Sequence, residues 1–296
     1  RDWDGFGVNY VEAAAIKDYN EFKKRPEDYG GFSTLSEKQR QEIMDLIFGP
    51  DGLKPGLIKM FLDPLHEGMT IADKGKFDHE TSTKWMNYFV REGLKRTRAQ
   101  GGGDLPIITS MWSPPGWMTK QKFMNGRDLD PAHKEDVARY MIDWVKFLRN
   151  HEKFPVKYLS VHNEGDMWTR WPADGSTGGG GAASYAMWWS ASQVVDFLRF
   201  MRPMMDREGL KDVGLTNGEP AQWDVFGKWV APEIYADPVA IKNIALVTSH
   251  GFGTGRAAIN SLGVDTLRVV RPDLHAWNTS MNVAPGGDNI WIEQVR

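Results

Sequence analysis

The sequence contains no cysteine among its 296 residues. This absence excludes disulfide bonds, thiolate nucleophiles and metal sites with cysteine ligands. Positive and negative residues nearly balance: the formal net charge is only -3, so no excess of basic residues would attract nucleic acid. No apolar run approaches the roughly 20 residues that a membrane-spanning helix needs. We therefore expect neither a nucleic acid nor a membrane as a partner.

Tryptophan, by contrast, is abundant, with 13 residues in the chain. Most tryptophans serve as large apolar core groups. Those beside loops can have another role, because the C–H faces of sugars pack flat on aromatic rings. The tryptophans in the middle of the chain are Trp112, Trp117, Trp168, Trp171, Trp188, Trp189 and Trp223.

Short apolar runs alternate with longer amphipathic segments along the chain. The runs predict strands at 5–11, 57–63, 105–112, 156–163, 213–217, 244–250 and 274–280. The amphipathic spacing predicts helices at 35–48, 81–99, 134–150 and 192–208, with a last one near 289–296.

This alternation is typical of buried parallel strands joined by helical crossovers. An open doubly wound sheet would give a similar pattern, but no Gly-x-Gly-x-x-Gly follows the first strand. The pattern therefore favours an α/β fold of the (β/α)₈ TIM-barrel type, and the length suits a single domain over residues 1–296. Because only seven strands are found, we expect the barrel to be truncated in or after its seventh β/α unit.

The strongest candidate for catalysis is Glu164, in the run Val161-His162-Asn163-Glu164 at the end of the fourth strand. In a barrel this face carries the chemistry. A carboxylic acid at the floor of a cleft there can protonate a glycosidic oxygen, with Asn163 binding a neighbouring sugar hydroxyl. The alternative is that Glu164 forms an ordinary surface ion pair.

Further polar and aromatic residues follow the other strands. Two prolines stiffen the turn between Trp112 and Trp117, so their rings suit a sugar platform. Tyr10, Asp63 and His250 also end strands and are candidates for sugar binding. No His-x-x-x-His pair or carboxylate cluster has the spacing of metal ligands, so we expect no metal and no cofactor.

Taken together, four motifs resemble glycoside hydrolase family 30 and its O-glycosyl hydrolase relatives of clan A. They are Asp4-Gly5-Phe6-Gly7, Trp112-Ser113-Pro114-Pro115-Gly116-Trp117-Met118, Asn163-Glu164 and Ser249-His250-Gly251-Phe252. The resemblance implies a (β/α)₈ barrel joined to a β-sandwich from flanking sequence. It also implies retaining cleavage of β-linked glycans, with Glu164 as acid/base and a secreted or periplasmic location.

The family's nucleophile has no counterpart here. In the family a glutamate follows the seventh strand, whereas this chain has Trp277-Asn278-Thr279-Ser280. A serine without a base is a poor substitute for a nucleophilic carboxylate, so with Ser280 at this position the barrel would bind glycans without cleaving them. Alternatively Glu219, at the end of the fifth strand, supplies the second carboxylate, or sequence beyond the seventh strand does so. Glu293 is a weaker candidate.

The sequence thus predicts hydrolysis of a β-linked oligo- or polysaccharide, with Glu164 as general acid/base and Glu219 as the provisional second acid. The expected sugar-binding residues are Tyr10, Asp63, Trp112, Trp117, Asn163, His250, Trp277 and Ser280. A catalytically inactive glycan-binding barrel is the alternative. An aldolase-type barrel is less favoured, because neither a buried Schiff-base lysine at a strand end nor a late phosphate-binding glycine loop is apparent.

Overall fold

A computed structural model describes residues 3–10, 32–62, 64–68, 70–80, 83–122, 126–166, 187–253, 257 and 260–281. Its centre is a sheet of seven parallel strands that follow one another in chain order. The strands are β1 (Gly7–Asn9), β2 (Leu57–Leu62), β3 (Ile107–Met111), β4 (Val156–Ser160), β5 (Gly214–Thr216), β6 (Ile244–Ser249) and β7 (Ala276–Asn278). All seven lie within the predicted runs, so the expected barrel-type fold is confirmed.

The strands are buried, as their apolar composition requires. Every residue of β3 is buried, and all but the first residue of β2 are buried. Parallel strands have this composition because helices cover the outer face while side chains fill the inside. The strands end earlier than predicted: residues 161–163, 217 and 250 lie beyond regular pairing. Polar side chains take over at these ends, and they form the site described below.

Eight α-helices within the described ranges surround the sheet. They are α1 (Glu37–Phe48), α2 (Lys84–Ala99), α3 (Lys134–Asn150), α4 (Ala191–Arg207), α5 (Trp223–Val225), α6 (Ala231–Ala236), α7 (Pro238–Asn243) and α8 (Leu262–Arg268). A π-helix, Phe226–Val230, joins α5 to α6. Single 3₁₀ turns lie at Ile71–Asp73, Gly116–Met118 and Pro131–His133.

Local chemistry explains where the predicted helices begin and how they pack. The bounds of α3 are those predicted. Helix α1 begins at Glu37 rather than at residue 35, because Ser36 forms a capping box with Gln39. In α3, the buried Trp144 donates its Nε1 hydrogen to Thr109 Oγ1 of β3 at 2.8 Å, which ties this helix to the sheet. None of the helices in the described ranges is both long enough and apolar enough to cross a membrane.

Among the described residues, a seam separates β1 from β7. The described part of the chain has no strand pairing between them. Asn9 Nδ2 donates to the Thr279 carbonyl at 3.2 Å, and a cavity of about 680 Å³ runs along the seam from Asp4 to Ser280. At the end of the cavity that precedes β1, Asp4 Oδ2 contacts His275 Nδ1 at 2.6 Å and accepts a hydrogen bond from Trp277 Nε1 at 2.7 Å. The helix predicted near 289–296 lies outside the described residues, and the single domain over 1–296 stays a prediction.

Candidate active site

A cluster of buried polar groups lies at the carboxyl ends of β4, β5 and β6. Lys59 reaches this cluster from the middle of β2. Its Nζ donates to Asn163 Oδ1 at 3.3 Å and also forms an ion pair with Glu219 Oε2. His250 joins the cluster through Nε2, which lies 3.3 Å from Lys59 Nζ and 3.0 Å from Glu219 Oε2. Its other ring nitrogen, Nδ1, lies 3.2 Å from Glu164 Oε1. The expected residues Asn163, Glu164, Glu219 and His250 are therefore brought together.

Backbone hydrogen bonds just past β4 and β5 fix the positions of Glu164 and Glu219 relative to each other. Glu219 donates its backbone N–H to the His162 carbonyl at 2.9 Å, and Glu164 donates to the Glu219 carbonyl at 2.8 Å. Gly218, which directly precedes Glu219, has a φ of +79°, and a Cβ there would lie 2.1 Å from the His162 ring. Only glycine fits this position, because both the conformation and the space exclude a side chain.

Glu164 adopts a strained backbone conformation with φ at 51°. A residue other than glycine in this left-handed region costs on the order of 1–3 kcal/mol and persists only where the surroundings impose it. The following residue, Gly165, donates its N–H to His162 Nδ1 at 3.2 Å. The side chain of Glu164 is 15% exposed, whereas those of Glu219 and His250 are at most 2% exposed. Glu164 is thus the member of this group that a ligand can reach most readily.

Glu219 is held as a buried carboxylate. Burial alone would raise its pKa, but the charge of Lys59 and the hydrogen bond with His250 outweigh burial and lower the pKa to about 2. Its Oε2 is the atom that contacts both partners, while its Oε1 has no hydrogen-bond partner among the described residues. A carboxylate with so low a pKa is a weak base.

Two charged residues of the site were not predicted. Lys59 is the only charged residue of β2, and a lone lysine in a run destined for burial on both faces is the sequence signal that could have found it. Its side chain is 1% exposed, but it lies in the middle of β2 and not at a strand end, and its ion pair with Glu219 leaves it unsuited to Schiff-base chemistry. The second residue is Asp166, for which the sequence gives no comparable signal.

Asp166 connects the loops after β4 and β5. Its carboxylate accepts the Ala221 N–H, with Oδ1 at 3.1 Å and Oδ2 at 3.2 Å from the nitrogen. Burial raises its pKa to about 6, against the opposing effect of the Ala221 hydrogen bond.

His162, behind the site, stacks on Trp189 with ring centroids 5.5 Å apart, and burial lowers its pKa to about 3. His162 is therefore uncharged at neutral pH, although the charge of Glu219 acts on it in the opposite direction.

The aromatic candidates are spread over different parts of the molecule. Trp112 is buried with its ring 4.8 Å from that of Phe61, and Trp117 is buried with its ring 4.9 Å from that of His133. Tyr10 packs 5.4 Å from Phe89 of α2, in the layer between sheet and helices. The role of these rings in sugar binding stays a prediction.

The remaining candidates lie at the seam or outside the described residues. Trp277 is half-buried, lines the seam cavity and meets Tyr158 edge-on at 5.1 Å. Ser280 lines the same cavity just past the carboxyl end of β7, and its carbonyl accepts a hydrogen bond from the Gly251 N–H at 3.0 Å. Asp63 lies outside the described residues, as does Glu293. Within the described ranges, no group of three or more His, Asp or Glu residues could hold a metal ion.

Comparison with known proteins places this geometry in a wider context. No protein-family model matches the chain. A Caenorhabditis elegans protein named "Putative glucosylceramidase 3" is 24% identical over 245 residues, which cover 75% of this chain and 42% of that protein. Among solved structures, SrfJ from Salmonella typhimurium superposes with a TM-score of 0.70 at 19% identity, over 98% of this chain and 59% of that one.

Two further structures are glycoside hydrolases by name. The endo-β-1,6-glucanase BT3312 gives a TM-score of 0.64 at 17% identity, over 92% of this chain and 56% of that one. The family 30 subfamily 8 xylanase Xyn30A from Clostridium acetobutylicum gives 0.54 at 17% identity, over 85% of this chain and 50% of that one. The chain therefore shares the barrel-type fold of these structures. It spans 42% of the curated relative and 50% to 59% of these three solved chains.

Proposed function

We propose that this chain carries the barrel of an O-glycosyl hydrolase that cleaves a β-linked glycan, with Glu164 as general acid/base. The observation that carries this proposal is the arrangement of Glu164 itself. A partly exposed carboxyl group lies past the end of β4, in a strained conformation, with a ring nitrogen of the buried His250 at 3.2 Å. Strain of this kind clusters at functional sites.

In the proposed reaction, the protonated Glu164 transfers its proton to the glycosidic oxygen while the bond from that oxygen to the anomeric carbon breaks. Water supplies the hydroxyl group of the new reducing end, and its remaining proton returns to the Glu164 carboxylate. Atoms and charge therefore balance over one cycle. General acid catalysis of this type contributes roughly 10²–10⁴-fold in rate.

Several of the similar proteins have names that support the substrate class. They include an endo-β-1,6-glucanase, a xylanase and a protein named as a glucosylceramidase. We carry over from them only a carbohydrate substrate with a β-linkage. A polymeric glycan would be met outside the cytoplasm, so a secreted or periplasmic location is part of the proposal.

The test compares wild-type protein with Glu164→Gln on aryl β-glycosides and on β-linked polysaccharides. We expect kcat to fall roughly 10²–10⁴-fold on substrates whose leaving group needs a proton. The loss should be much smaller on dinitrophenyl glycosides, because that leaving group departs without protonation. Glu233→Gln, on the exposed surface of α6, is the matched control and should keep full activity. Equal activity of wild type and Glu164→Gln on all substrates would remove Glu164 from the mechanism.

A glycan-binding barrel without catalysis is the second candidate. It is favoured by Ser280, which stands just past β7 where the resemblance calls for a glutamate, and by the burial of Glu219. This alternative predicts saturable binding of an oligosaccharide by calorimetry, with no product from any substrate after long incubation. Release of reducing sugar that is abolished in Glu164→Gln would exclude it.

A further inference from the structure

Lys59 is at the centre of the buried part of the site. Its ammonium group contacts one residue from each of three strand ends: Asn163 after β4, Glu219 after β5 and His250 after β6. The side chain is 1% exposed, and its Nζ also lies 4.6 Å from the centroid of the Phe61 ring. A lysine in this environment keeps its charge only if a buried anion compensates it.

We propose that Lys59 and Glu219 form a positioning ion pair that fixes the His250 ring so that its Nδ1 faces Glu164. The proposal rests on the proposed role of Glu164 as the acid. Glu219 Oε2 contacts both Lys59 Nζ and His250 Nε2, so the pair holds the Nε2 side of the imidazole ring. The opposite ring nitrogen, Nδ1, then lies 3.2 Å from Glu164 Oε1. In this arrangement Glu219 supplies fixed negative charge and does not attack the sugar.

Burial supports a positioning role for Glu219. Its side chain is 0% exposed, whereas that of Glu164 is 15% exposed, so a sugar would meet Glu164 first. A nucleophilic carboxylate must reach the anomeric carbon directly. Preorganised charge that is fixed before substrate arrives acts most strongly in such a dry environment.

The same pair orients Asn163. Because Lys59 Nζ donates to Asn163 Oδ1, the amide nitrogen is left as a donor, and Nδ2 has no partner in the described part of the chain. The charged and titratable groups that act on His250 are Glu164, Glu219 and Lys59 by contact. Asp166 and His162 interact with it electrostatically.

The experiment uses Lys59→Met, the double variant Lys59→Met/Glu219→Gln and the control Lys157→Met. Lys157 is an exposed lysine on β4, so its replacement removes the same charge without touching the site. We expect kcat of Lys59→Met to fall by about 10- to 100-fold with little change in KM, because His250 loses its fixed position. The double variant should be more stable than Lys59→Met, because it no longer contains an unpaired buried carboxylate, but its kcat should stay low, because the ion pair that fixes His250 is still missing.

The double variant also guards against a failure to fold, since it buries no unpaired charge. A purely structural role for Lys59 would lower the yield of folded protein but leave kcat of the folded fraction unchanged. Folded Lys59→Met with wild-type kcat would overturn the proposal, as would a double variant with wild-type kcat.

A second readout does not depend on turnover. The imidazole nitrogen chemical shifts of His250, measured by NMR, should change in Lys59→Met and stay at wild-type values in Lys157→Met. If the wild-type protein cleaves no glycoside but the shifts change, the proposed function fails and the positioning role of Lys59 stands. If the protein is active and the shifts do not change, the positioning role fails and the proposed function stands.

Discussion

Asn163 and Glu219 face each other in an isolated parallel β-bridge just beyond the ends of β4 and β5. This single pair extends the sheet past its last regular hydrogen bonds and so fixes the two loops relative to each other. Glu164 and Gly218, the neighbours of the bridged residues, then take left-handed conformations. The barrel thus stores backbone strain at the position where the proposed acid is needed. Both this strain and the buried charges around it can be tested by substitution.

The strain at Glu164 can be measured by comparing Glu164→Gly with Glu164→Ala. Both variants lose the carboxylate, but glycine adopts a φ of 51° without steric cost. We expect the glycine variant to be more stable than the alanine variant by about 1 kcal/mol in urea unfolding. Lys153→Gly against Lys153→Ala is the control, because Lys153 has a φ of 59° on the surface and should show the same gain with full activity. Equal stability of the two Glu164 variants would mean that no strain is stored there.

Gly218→Ala should be far more harmful than Gly209→Ala. Both glycines have a φ of +79°, so the conformational cost of about 1–2 kcal/mol is common to both. A Cβ at residue 218 would additionally lie 2.1 Å from the His162 ring, whereas a Cβ at residue 209 meets nothing within 4 Å. The difference in unfolding free energy between the two variants therefore measures the steric contact alone. A difference below the error of urea titration would show that the His162 ring moves aside freely.

His162 should make the protein less stable in acid. Its pKa is about 3 in the folded protein and 6.5 ordinarily, so below pH 6.5 the unfolded chain binds a proton that the native state does not. Stability is then lost as the pH falls from about 6.5 towards 3, at up to about 1.4 kcal/mol per pH unit. His162→Gln keeps an acceptor for the Gly165 N–H and should flatten this part of the profile.

The comparison between wild type and His162→Gln is needed because other groups titrate in the same range. Asp166, with a pKa of about 6, contributes with the opposite sign, since its native state binds the extra proton between about pH 3.8 and 6. Glu219 reinforces the acid effect of His162 only below its ordinary pKa of 4.5. Parallel stability profiles for wild type and His162→Gln between pH 7 and 4.5 would contradict the assignment.

The Lys59–Glu219 pair predicts a non-additive effect on stability. Lys59→Met should cost about 3–5 kcal/mol in unfolding free energy, because it leaves the buried Glu219 carboxylate unpaired. Lys59→Met/Glu219→Gln should cost much less, because neither charge is then buried. The measurement is a double-mutant cycle in urea that also includes Glu219→Gln. Additive costs around the cycle would show that the two charges do not interact.

Much of the fold could be predicted from the sequence. The apolar runs located all seven strands, because a strand covered on both faces leaves little room for polar residues. The amphipathic spacing gave α3 its observed bounds and placed α1 to within two residues. The short helices α5 to α8 were not predicted, because segments of three to seven residues show too little periodicity. The predicted strands extended beyond the observed ends, because apolar residues continue past the last paired residue and alternate there with polar ones.

The sequence by itself determined the order of strands and helices, and it placed Asn163, Glu164, Glu219 and His250 at strand ends. Only the tertiary structure decided that Lys59, 104 residues before Asn163 and 191 before His250, contacts both. The physical reason is that the sheet curves, so a side chain of β2 and one just past the end of β6, two strands that do not pair, point into one interior. Burial in that interior then decides which carboxylate is ionised and which is reachable, and neither property can be read from residue type alone.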